Sequence, residues 1–287
     1  MEEARGLSDM KQPFLSVPRG AAMFAGFFGV AFAAFGASQP AKIIDLSKFP
    51  REAQLVEQVV VPVPSEVFAV LDKLGKPNWT EVLRVQKGVA EPRGNERQIS
   101  LLLGTVIAEG FIAVEAENTA EVKNIGNSVR SLAKAIGVEK AVSRRANSIV
   151  EFADKRRWHE VRKELDLALS DVRQAMLELN SEPLAQLVSL GGWLRGTEAL
   201  SAVVTKSFSK DGAELLHQPV LVEHFDRRLK SMGSASSDDA LLQKIQKGLH
   251  EIKPLMGTSD GTSISEKEVR EIGKACGHLV AAIKGGA

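Results

Sequence analysis

Between Gln98 and Asn118 the chain reads QISLLLGTVIAEGFIAVEAEN, which is apolar on nearly every side of a helix. The run is longer than a buried strand and too polar at its ends to span a bilayer. A helix without a polar face belongs among other helices that cover it all round. This one segment therefore directs the chain toward an all-α bundle built about it. A second segment of the same character, Glu182 to Phe208, contains LVSLGGWLRGTEALSAVV. Each run is interrupted by a charge, Glu109 in the first and Arg195 in the second. A buried charge is costly unless it is paired, so the two are expected to meet where the helices pack face to face. Gly104, Gly110, Gly191 and Gly192 lie in the same runs, where glycine costs roughly 1 kcal/mol relative to alanine. Close approach of two helices explains them, as does room for a ligand or a kink at Gly191-Gly192.

The segments between carry helical stripes. Val122, Ile125, Val129, Leu132 and Ile136 recur at spacings of three and four, as do Ala141, Val142, Ala146, Ile149 and Ala153. Trp158, Val161, Leu165, Val172, Met176 and Leu179 stripe a longer helix that Asn180 closes. Asn118 with Glu121 is a helix start, Ser263 with Glu266 or Ser265 with Glu268 is another, and Gly137 is a helix stop. Further helices are expected over Trp79 to Gln86, Asp211 to His217, Pro219 to Met232, Asp238 to Met256 and Ser265 to Lys284. The predicted fold is an all-α antiparallel helical bundle or short α-solenoid, preceded by a short extended arm.

An internal repeat is visible in outline. Trp79-Thr80-Glu81-Val82 matches Trp158-His159-Glu160-Val161, and Leu103-Gly104 matches Leu190-Gly191. Arg130 to Gly137 resembles Arg228 to Gly233, in the same order. The matches suggest two pseudo-repeated halves, 79–155 and 158–256, against the rival that helical sequences align by chance. Upstream, Gly20 to Ala37 (GAAMFAGFFGVAFAAFGA) follows Lys11 and Arg19 and ends in small residues, the pattern of a cleaved export signal over 1–37. An uncleaved membrane anchor is the rival. Residues 38–64 hold Pro40, Pro50, Pro62 and Pro64 and read as a linker or extended arm, with QVVVPVP (Gln58 to Pro64) as an edge strand or strap. The helical domain then spans 65–287, opened by Ser65 as a cap.

Composition narrows the function. A net charge of +1 lacks the basic footprint of a nucleic-acid binder, and the chain has no tyrosine. The lone Cys276 excludes an intramolecular disulfide and a CxxC site. His159, His217, His224, His250 and His278 show no ligand spacing, so neither metal nor cofactor is expected. Gly257 to Gly261 matches G-x-S-x-G, but it joins two helices and reads as a loop. The expected function is binding or scaffolding outside the cytoplasm, without catalysis. The partner is an envelope protein, a peptide or a small ligand, and no membrane span is left after signal cleavage. The alternative is a small-ligand site, or a hydrolase or lyase, with Glu109 as base and Arg195 holding an anion. Trp193, Glu198 and Thr105 would line that pocket. Protein made in an exporting host should begin near Ala37 to Gln39 on N-terminal sequencing; recovery of the intact chain in the membrane fraction would instead identify an anchor.

Overall fold

Four turns of one kind join five successive helices among the described residues of the computed structural model. It describes residues 77–85, 87–233, 239–257 and 263–285, and the backbone of Leu55–Val56 and Val59–Val60. Helices α1 (Glu96–Glu115), α2 (Thr119–Ala135), α3 (Glu139–Asp154), α4 (Trp158–Glu178) and α5 (Glu182–Lys206) follow one another. At each junction the central residue is left-handed: Glu117, Gly137, Arg156 and Asn180 have φ of 51°, 80°, 52° and 52°. The amides of Asn118, Val138, Arg157 and Ser181 reach back to the carbonyls of Ala113, Ala133, Phe152 and Met176. This pattern is the Schellman motif, which satisfies carbonyls left over at a helix end and reverses the chain at once. Connections this short make successive helices antiparallel neighbours.

Beyond α5 come a short α6 (Lys210–Glu214), α7 (Pro219–Ser231), α8 (Ala240–Ile252) with a 3-10 turn at Lys253–Met256, and α9 (Glu266–Ile283). The expected Ser265–Glu268 capping box starts α9. Asp226 on α7 ties to α8. Burial pushes its carboxyl pKa up, but hydrogen bonds from Lys230 and Gln246 and the charges of His250 and Lys230 outweigh this and hold it below the usual aspartate range.

The core has two main clusters. The first is filled from α1 to α4, the second mostly from α5 to α9. Each borrows from the other side: Val188 of α5 enters the first and Leu101 of α1 the second. The exchange occurs where α1 and α5 cross. A Cβ on Gly104 would overlap the carbonyl oxygen of Val188, and a Cβ on Gly191 that of Leu101. The two helices thus touch backbone to backbone, which only glycine permits. Helix α9 also packs on α5 through glycines, but against side chains, with Gly277 under the Glu198 carboxylate and Gly273 under the Ser201 side chain. Helix α1 has a length and mean hydropathy, 1.5, that would suit a membrane span, but 72% of that window is buried inside the protein.

One expectation is corrected. Of the helix expected over Trp79 to Gln86, the described part, Trp79 to Val85, is not helical; a single 3-10 turn, Trp79–Glu81, is followed by irregular backbone. The carbonyl of Val82 and the amide of Arg84 bond to side chains of other elements rather than to helical neighbours. The matching segment at Trp158 opens α4, so the two W-x-E-V stretches differ in conformation. Of the expected arm, the antiparallel pairing of Leu55 with Val60 and Val56 with Val59 is described. The expected export signal and the helix expected from Ser65 lie outside the described residues, as does Thr258 to Gly261 of the G-x-S-x-G stretch.

The crossing makes a sharp prediction. Gly104→Ala should destabilise the protein by about 2–3 kcal/mol, because overpacking exceeds the roughly 1 kcal/mol gain in helix propensity. Gly196→Ala on the same α5, where an added Cβ meets nothing within 4 Å, should stabilise it by up to about 1 kcal/mol. Urea unfolding of both variants checks the contrast.

Candidate functional site

Beyond the crossing, the opening between α1 and α5 holds the two charges and then Trp79 from outside the two helices. Glu109 lies five residues beyond Gly104 and Arg195 four beyond Gly191. Arg195 Nε donates to Glu109 Oε2 at 2.6 Å and Nη2 donates to Oε1 at 3.2 Å. The two side chains are each 2% exposed. A forked guanidinium–carboxylate pair of this kind is the form in which a buried ion pair best recovers its desolvation cost.

The pair is closed by a strap running from Pro77 to Val85. The amide of Arg84 donates to Glu109 Oε1 at 2.5 Å, and Arg195 Nη2 donates to the Val82 carbonyl at 2.6 Å. Glu198 sits between two cations, accepting from Arg195 Nη1 at 3.5 Å and from the Arg84 side chain. Trp79 is buried one turn further along the opening, against Ile112 of α1 and Ala199 and Val203 of α5. A Lys206–Glu81 ion pair and a bond from the Ala90 amide to Ser128 Oγ fasten the strap and the loop after it. Lys284 at the end of α9 borders the same network. It is exposed as a whole residue. Burial lowers its pKa first, while the Glu109 and Glu198 carboxylates raise it and the Arg84 and Arg195 guanidinium groups lower it.

The structure therefore unites Glu109, Arg195 and Glu198 and sends Trp193 and Thr105 elsewhere. Trp193 packs on Phe225 at a ring separation of 5.6 Å and donates its indole N–H to Gln218. Thr105 bonds to the Leu102 carbonyl of its own helix, the common use of a mid-helix threonine. Sequence reasoning missed Arg84, the Val82 carbonyl and Lys284. The one available signal was the helix-breaking Pro77 and Gly88 at the two ends of that span. Cys276 is fully buried, and burial, then the Glu198 charge, pushes its thiol well above the ordinary range, so it is no nucleophile. Among the described residues no group of three or more His, Cys, Asp or Glu is placed to hold a metal ion.

No family model, no curated protein and no solved structure matches the chain.

Glu109→Gln and Arg195→Met should each destabilise the protein by roughly 3–5 kcal/mol, since each strands a buried partner. The double variant should cost less than the sum of the two. Urea unfolding of all four proteins gives the coupling; simple additivity would show that the pair contributes nothing as a pair.

Proposed function

We propose that the protein is an exported, non-catalytic helical binding or scaffold protein whose partner is an envelope protein or a peptide. One observation carries the second half of this reading: the polar centre is saturated. Both oxygens of Glu109 and both forked nitrogens of Arg195 are bonded within the chain. A general base needs a lone pair within reach of its proton, and an anion site needs donors free to bind. Glu109 and Arg195 offer neither while the strap is in place, which weighs against the hydrolase or lyase reading and against a small ligand on the pair. Export rests on the apolar run from Gly20 to Ala37 and its small-residue end. The reading of two pseudo-repeated halves draws support from the reciprocal contacts of Gly104 and Gly191 at the crossing, while the different conformations at Trp79 and Trp158 weigh against it.

Photo-reactive side chains in place of the exposed Leu177 or Val220 test the reading in intact cells. The expected result is a discrete adduct with one envelope protein. Turnover of ester, amide or phosphate substrates by the purified protein, lost in Glu109→Gln, would overturn it in favour of an enzyme.

A further inference from the structure

The strap holds its place as a bound peptide would. Its two contacts with the buried pair are main-chain atoms, the Val82 carbonyl on Arg195 and the Arg84 amide on Glu109. A carbonyl and an amide two residues later are present in any peptide, so the pair reads backbone rather than sequence. Sequence enters at two flanking points. Trp79 fills the apolar end of the opening between α1 and α5, beside Ile112, Ala199 and Val203. The Arg84 side chain answers Glu198 at the other end. Between them Val82 and Leu83 are half-buried. A large aromatic anchor, a main-chain clamp and one charge-assisted contact form the usual division of labour at a peptide site.

The chain that leaves the strap is built to let it go. Val85 and Val89 are exposed, and a Cβ on Gly88, at φ +150°, would meet nothing within 4 Å. Gly94, at φ +84°, stands just ahead of the first turn of α1. The strap is thus joined to the bundle through a loop with two glycine joints.

The geometry points to a peptide-recognition site in the opening between α1 and α5, occupied in cis by the strap. Its ligand in trans is a short segment with an aromatic residue, two variable residues, a small apolar residue, and a basic residue two positions later. This names the site for the binding function proposed above and rests on that reading. Cis occupancy makes the strap an intramolecular competitor, acting at an effective concentration in the millimolar range for a short linker. Any partner must displace it, and the buried pair passes from one backbone to another without being left open to water.

The probe is a fluorescein-labelled peptide of residues Pro77 to Val85, followed by anisotropy against three full-length proteins. These are the wild type, Trp79→Ala, and a Glu81→Ala/Arg84→Ala variant that loosens the strap through exposed groups and keeps every core side chain. Circular dichroism and a cooperative melt verify folding of the double variant. Saturable binding to the loosened variant, at least tenfold tighter than to the wild type, is expected. It should disappear when the peptide carries Trp79→Ala. The unsubstituted peptide should raise the melting temperature of the Trp79→Ala protein, by an amount that grows with the logarithm of its concentration above Kd. Absence of saturable binding to the folded double variant up to about 1 mM, or equal binding by the Trp79→Ala peptide, would overturn the site. The binding-protein reading would then still stand on the cross-linking result.

Discussion

Two glycines that bring a pair of helices into backbone contact set the conditions for the rest of this fold. With Gly104 under the Val188 carbonyl and Gly191 under that of Leu101, α1 and α5 have no freedom to slide or to separate at that level. Everything further along each helix is then placed relative to that contact. An arginine and a glutamate meet next, and one turn later an indole packs against both helices. The reciprocal exchange of Leu101 and Val188 between the two core clusters follows from the same contact, because residues beside the crossing glycines project past the partner helix.

The buried ion pair depends on this geometry and on the strap together. In isolation a guanidinium and a carboxylate removed from water recover their solvation only if every donor and acceptor is used. Here the second shell is a stretch of backbone, and the outer shell is a second carboxylate and a second guanidinium, Glu198 and Arg84. Positive and negative groups alternate from Arg84 inward to Glu109, so no like charges adjoin in the chain of contacts. The tight packing of Gly277 against Glu198 explains why α9 is also smooth on that face.

Much of the framework was legible in the sequence. The apolar girth of two segments marked them as central, and an isolated charge of opposite sign in each marked the pair, because hydrophobic patterning and charge burial act at the level of single helices. Asn118, Gly137, Asn180 and Ser265 announced helix ends through side-chain and left-handed preferences that are local. Glu117 and Arg156 carried no such announcement: a charged residue in the left-handed region is tolerated because the turn on either side is already determined. Trp79 to Arg84 was misread as a helix for a related reason. Its backbone partners are side chains far away in the chain, and no local pattern records them. Trp193 was assigned to the polar centre by proximity in sequence, but a step of two residues on a helix faces another direction; Thr105, four residues before Glu109, instead spends its hydroxyl on the Leu102 carbonyl of its own helix.

The close approach of α1 and α5 has a temporal side. The partners in the buried pair are 86 residues apart. At a synthesis rate of about 5–20 residues per second, α1 emerges roughly 4–17 s before the helix that must cover it. The antiparallel turns let α2, α3 and α4 assemble locally during that interval, since hairpin contacts close quickly. They leave bare the face that carries Gly104 and Glu109. For those seconds the nascent chain displays a helix as greasy as a membrane segment with a lone carboxylate upon it. The cost of a backbone-tight crossing between distant helices is therefore a vulnerable interval in the protein's biogenesis, one that a holding chaperone is suited to cover.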